Sequence, residues 1–68
     1  MRNSAQDRLL SKGEIKKLQD AGYDVHDLKG GKRAAQYDLY KDTSGNIYVK
    51  PKGGAGPGEP TGININDL

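Results

Sequence analysis

Tyr37-Asp38-Leu39-Tyr40-Lys41-Asp42-Thr43-Ser44-Gly45-Asn46-Ile47-Tyr48-Val49-Lys50 is the stretch that decides how this chain folds. Tyr37–Asp42 and Asn46–Lys50 are strand-like runs. Between them Thr43-Ser44-Gly45 puts glycine where a three-residue hairpin loop needs a left-handed backbone. A loop of that length pairs Asp42 with Asn46. Tyr40 then faces Tyr48, Leu39 faces Val49, and Asp38 faces Lys50. Alternate residues of a strand point the same way, so Asp38, Tyr40, Tyr48 and Lys50 share one side of the ribbon. Tyr37, Leu39, Ile47 and Val49 take the other side and form a core face. A two-residue loop would slip the pairing by one and mix the two sets.

Upstream, Ser11-Lys12-Gly13-Glu14 has the form of a capping box, with Leu10 and Ile15 placed as a hydrophobic staple. Ile15 and Leu18 then share a helical face, and Gly22 offers a left-handed stop, which predicts a helix over residues 12–21. Asp24 can cap one further turn closed by Gly30, and Gly30-Gly31-Lys32-Arg33 reads as a flexible basic loop. Downstream of Pro51, Lys52–Gly62 has almost no side chain to bury. The alternation of Ile63 and Ile65 with Asn64 and Asn66 predicts a short final strand. An ordered Gly/Pro loop that wraps the hairpin and presents Glu59 and Thr61 beside it fits this pattern better than a loose tail. The expected fold is α+β: one small domain, an N-terminal helix packed on a twisted antiparallel hairpin or small sheet, a long Gly/Pro-rich loop and a short C-terminal strand. Residues 1–8 are polar and aperiodic and read as a leader or linker remnant, which leaves 9–68 as the domain.

Composition narrows the possible functions. The 68 residues are 32% hydrophobic and include 10 glycines, one histidine and no cysteine, tryptophan or phenylalanine. A chain of this length buries only about 60% of its unfolded surface, so its core is thin. Without cysteine there is no disulfide scaffold, thiolate zinc site or cysteine nucleophile. A single histidine excludes any site that needs two imidazoles. No apolar run approaches the roughly 20 residues of a membrane span, and these residues carry no signal-peptide core.

Charge is uneven along the chain. Between Lys29 and Lys52 the basic residues Lys29, Lys32, Arg33, Lys41, Lys50 and Lys52 face only Asp38 and Asp42, whereas acidic residues outnumber basic ones in the flanks. A basic middle third reads as an anion-facing surface. Tyrosine rings can stack on unpaired bases and lysines neutralise phosphates. A carboxylate or histidine can take the proton of a ribose 2′-hydroxyl, and a cation can stabilise the pentavalent phosphate that follows. Asp38 or His26 is the expected base, Lys50 the phosphate stabiliser, and Glu59 and Thr61 complete the catalytic set from the loop. Lys32, Arg33, Lys52, Tyr40 and Tyr48 are the expected RNA-binding side chains. No metal or other cofactor is expected. Scattered carboxylates and one histidine disfavour a metal-dependent deoxyribonuclease.

Several blocks of sequence look like one known family. Leu10-Ser11-Lys12-Gly13-Glu14-Ile15-Lys16-Lys17-Leu18, Ala21-Gly22, Tyr37–Asp42, Gly45–Lys52 and Gly56-Pro57-Gly58-Glu59-Pro60-Thr61-Gly62 together resemble the polymorphic toxin type 33 domain, over about residues 9–68. The resemblance implies a ribonuclease at the C-terminal tip of a large secreted bacterial protein of the contact-dependent inhibition or Rhs type. It further implies action in the cytoplasm of a target bacterium and a cognate immunity protein, expected to be acidic, that protects the producer. Family motif positions present here are Asp38, Lys50, Lys52, Glu59 and Thr61. A partial similarity to ribosome-cleaving colicin nuclease domains suggests the same class of chemistry. The rival reading is a non-catalytic basic module that grips RNA or an acidic protein.

Overall fold

The computed structural model describes residues 4–68 as a four-stranded antiparallel sheet with its helical elements packed mainly on one face. Strand β1 (Arg8–Leu9) is followed by α1 (Lys12–Asp20) and the one-turn α2 (Val25–Leu28). A 3₁₀ segment (Gly31–Gln36) then leads into β2 (Tyr37–Lys41), β3 (Asn46–Pro51) and β4 (Glu59–Asn64), and short 3₁₀ turns lie at Ser4–Gln6 and Ile65–Asp67. The strands lie in the order β1-β2-β3-β4. Among the described residues, no helix is long and apolar enough to cross a membrane.

The hairpin has the register that its loop length dictates: Asp38 opposite Lys50, Leu39 opposite Val49, Tyr40 opposite Tyr48. Asp42 organises the turn. Its Oδ1 accepts the amides of Ser44 and Asn46, both at 2.9 Å, and its Oδ2 accepts the Asn46 side-chain amide at 3.1 Å. Gly45, at φ +90°, is pressed against the C-terminal segment, where Asn64 and Asn66 donate to the Ser44 carbonyl at 3.0 and 3.2 Å. The last residues of the chain thus lock the turn in place.

Helix α1 forms as its cap predicts. The Ser11 hydroxyl accepts the Glu14 amide at 3.2 Å, and Glu14 Oε1 accepts the Ser11 amide at 2.9 Å. Gly22, at φ +95°, closes a Schellman motif, in which Gly22 N–H donates to Gln19 and Tyr23 N–H to Leu18. Leu18 is fully buried in the core with Leu10, Leu39, Ile47 and Ile65, and Ile15, Val25, Leu28, Val49 and Ile63 pack around that cluster. Glu14 does a second job, since its Oε2 accepts the Lys41 ammonium from β2 and so fastens helix to sheet.

Three segments differ from expectation. Gly31–Gln36 is a 3₁₀ helix rather than a flexible loop, and it buries Ala34. The final strand runs over Glu59–Asn64, so it begins inside the stretch read as loop, while Ile65 belongs to a 3₁₀ turn. Proline and glycine disfavour a central strand but are tolerated on an edge, and β4 is an edge strand. The third difference concerns the segment read as a leader. Its residues 1–3 lie outside the described residues, but Arg8 pairs with Lys41 in the sheet and the Asp7 side chain is 1% exposed.

Asp7 is buried where it meets Lys50. The two charged groups lie 2.8 Å apart, the Lys50 side chain is 2% exposed, and its ammonium sits 5.0 Å from the centre of the Tyr40 ring. Gly54 and Gly58, at φ +73° and +72°, let the loop after β3 close over the pair. A Cβ on Gly54 would meet the Tyr40 hydroxyl at 2.7 Å, and one on Gly58 would meet Lys50 Cγ and the Val49 carbonyl at 2.7 Å. The expectation that Lys50 belongs to an anion-facing surface is therefore corrected. The residue occupies the expected strand face, but the glycine loop and Asp7 cover it.

These polar contacts carry two predictions. Removing one partner of a buried pair costs about 3–5 kcal/mol, against a total stability on the order of 3–10 kcal/mol for a chain this size. Lys50→Met or Asp7→Asn should therefore unfold much of the population in denaturant melts, and the double variant Asp7→Leu/Lys50→Met should recover most of the loss. If either single variant melts like the wild type, the pair does not hold the loop down. The second prediction concerns acid. Lys41 and then the Ser11 amide hold Glu14 below its ordinary value of 4.5. Desolvation raises Asp42, but donors from Asn46, Ser44 and Tyr48 outweigh it and leave it below 3.8. Both carboxylates bind protons less readily when folded than when unfolded, so their contribution is present at neutral pH and is lost as pH falls below those ordinary values, through the lowered folded ones. The thermal midpoint should drop across that acid range, and Glu14→Gln should make the drop shallower; an equally steep drop in the variant would contradict this.

Candidate active site

The side chains singled out from the sequence divide between the two faces of the sheet. Asp38, Tyr40, Tyr48 and Lys50 lie on the face away from the main core, and most of their polar groups are engaged internally. Asp38 accepts from Lys52 at 3.1 Å, so its ion-pair partner is the diagonal lysine rather than Lys50 directly opposite. Tyr40 stands under Gly54 and beside the Lys50 ammonium. The Tyr48 hydroxyl reaches towards Asp42 at 3.4 Å.

Glu59 and Thr61 are elsewhere. Glu59 pairs with Val49 across β3 and β4, which puts its side chain on the core face, opposite to that of Asp38 and Lys50. There Glu59, Thr61 and Arg33 line one cavity of about 470 Å³. It opens between α2, the 3₁₀ segment and the adjoining parts of β2, β3 and β4, and its remaining walls are Asp27, Leu28, Lys29, Gly30, Tyr37, Val49 and Pro60.

Local structure explains why these groups meet. Asp24 caps α2 by accepting the Asp27 amide at 3.2 Å, and Gly30, at φ +100°, turns the chain straight into the 3₁₀ segment. That sharp turn brings Lys29 and Arg33 to the same rim. Across the cavity, Thr61 holds β4 in place: its hydroxyl donates to the Ile47 carbonyl at 2.8 Å and accepts the Ile63 amide at 3.1 Å. Thr61 thus clips the two strands where their register shifts, two residues from Glu59 and on the same face.

The electrostatic contrast between the faces matters chemically. Glu59, Arg33 and Lys29 form no ion pair and no side-chain hydrogen bond among the described residues, and neither does the Tyr37 hydroxyl. Two carboxylates (Glu59 and Asp27), two cations and a phenol therefore line one cavity, with no ion pair or side-chain hydrogen bond among the described residues. Lys32 is exposed on the same 3₁₀ segment without lining the cavity. His26 is exposed on α2, next to the cavity residue Asp27. Sequence reasoning counts Lys29 in the basic, anion-facing middle third without naming it as a site residue, and it misses Tyr37 and Asp27. Tyr37 looked like a core residue because it shares the face of Leu39. The available signal was its position at the end of that face, where the core gives way to the basic Gly30–Arg33 turn.

Comparison with known proteins supplies the wider frame. No curated protein and no solved structure matches the chain at a significant level. The family model described as bacterial toxin 33 matches residues 3–66, nearly the whole length, and this agrees with the helix, hairpin and Gly/Pro blocks that carry the resemblance. The chain belongs to the bacterial toxin 33 family.

Proposed function

We propose that this toxin domain is a metal-independent endoribonuclease that uses the cavity between α2 and β4. The observation that carries the reading is the meeting of unspent Glu59, Arg33 and Lys29 in one pocket. Glu59 takes the proton of a ribose 2′-hydroxyl, and the freed oxygen attacks the adjacent phosphorus. Arg33 and Lys29 stabilise the extra charge on the pentavalent phosphate. The bond to the 5′-oxygen then breaks, with His26 on the neighbouring turn returning the proton. The products are a 2′,3′-cyclic phosphate and a 5′-hydroxyl.

The other side chains support this centre. Thr61 positions Glu59 by clipping β4 to β3. Asp38, Tyr40, Tyr48 and Lys50 build the back of the sheet, while the exposed Lys32 and Lys52 attract RNA over longer range. In this reading the domain is carried by a larger secreted effector and acts on transfer or ribosomal RNA in the cytoplasm of a target bacterium. An immunity protein with an acidic surface covers Lys29, Lys32 and Arg33 in the producer, with association that weakens in salt.

The test is cleavage of RNA by the purified domain in the presence of chelator, with end-group analysis. We expect cyclic phosphate ends. Glu59→Gln should lower the rate at least about 10²-fold, with little change in melting temperature because the residue is exposed on an edge strand. Full activity in that variant, 5′-phosphate ends, or a block by chelator would contradict the mechanism. RNA bound but left intact would make the domain a binding module.

A further inference from the structure

The cavity holds more than a cleavage centre requires. A phosphate needs cations and N–H donors, yet the lining of this pocket also includes Leu28, Val49, Pro60 and Tyr37. Leu28 and Val49 are partly buried hydrophobics that extend from the core to the pocket wall. Its volume of about 470 Å³ lies within the roughly 300–1,000 Å³ range of small-ligand sites, which combine apolar walls with a few placed polar groups. A ligand matching both halves has a flat apolar body and, one sugar away, a phosphate. That is a nucleotide whose base has left its stack.

We infer that the cavity is a nucleobase subsite in which Tyr37 stacks on one unstacked base of a single-stranded RNA, next to the phosphate held by Arg33 and Lys29. The inference deepens the ribonuclease reading and rests on it for the RNA. Tyr37 is suited to the role by three features. It opens β2 directly after the basic 3₁₀ segment, it is half-buried, and its hydroxyl has no hydrogen bond among the described residues. Stacking on an aromatic ring serves any base, because every base has a π-face. The pocket therefore selects single strands over duplex, in which bases are not available to it.

The experiment compares three probes on the whole domain: 3′-mononucleotides, ribose 5-phosphate, and a short RNA whose riboses are 2′-O-methylated to prevent attack. The mononucleotides should bind at least about tenfold more tightly than ribose 5-phosphate, in line with the stacking contribution of one base. Tyr37→Leu should abolish that margin and leave ribose 5-phosphate binding unchanged, and Tyr37→Phe should keep it within about twofold. If Tyr37→Leu does not fold, the wild-type ring resonances decide: those of Tyr37 shift with mononucleotide and stay still with ribose 5-phosphate. Equal binding of the sugar phosphate, or still Tyr37 resonances with mononucleotide, overturns the subsite. Binding of mononucleotides without the methylated RNA overturns RNA as its source. Base-dependent binding together with uncleaved RNA would keep the subsite and sink the cleavage mechanism, and cleavage with no base contribution would do the reverse.

Discussion

The buried contact between Asp7 and Lys50 is the constraint on which the rest of this small domain turns. Two charges taken out of water are expensive, and their attraction compensates only when geometry is good and other partners are present. Here the Tyr40 ring lies beside the ammonium and the glycine loop closes overhead, so the pair ties three separate parts of the chain together. The segment before β1, the centre of the hairpin and the loop after β3 are held at one point. Because that loop leads directly into β4, its seating fixes where Glu59 and Thr61 fall. A contact on one face of the sheet thereby sets the geometry of the cavity on the other.

This division suits a chain with so little apolar material. One face of the sheet is covered by α1, α2 and the C-terminal turn around a thin hydrophobic cluster. Among the described residues the opposite face has no second layer of α-helices, and polar contacts lie there instead: Asp7 with Lys50, Asp38 with Lys52, and Asp42 with the hairpin turn. Asp38 and Lys50, the expected base and phosphate stabiliser, are thus each engaged in an internal ion pair. Among the described residues, the side chains of Glu59, Arg33 and Lys29 between α2 and β4 have no ion pair or side-chain hydrogen bond, and that leaves them able to meet a substrate.

Much of the fold was legible because local chemistry determines it. Loop length sets hairpin register, and Ser11 with Glu14 announces the start of α1. What was not legible depended on distant partners. Arg8-Leu9 is too short to show strand periodicity and becomes a strand only because Leu39 and its neighbours offer an edge. Glu59-Pro60-Thr61-Gly62 carries two residues that strands avoid, and β3 recruits it nonetheless. The burial of Lys50 could not be read from alternation, which reports the face of a strand and is silent on what covers that face. For the same reason the sequence alone groups Glu59 and Arg33 with Asp38 and Lys50, whereas they line the cavity on the other face of the sheet.

The central claim is that RNA meets the α2–β4 cavity and that the opposite face only supports it. The most direct measurement is a residue-resolved map of backbone amide shifts as a non-cleavable RNA oligonucleotide is added to the domain. The account predicts that shifts concentrate at Lys29, Gly30, Arg33, Tyr37 and Glu59, with Asp38, Tyr40, Tyr48 and Lys50 nearly unmoved. Shifts centred on those last four residues, with the cavity unaffected, would contradict it.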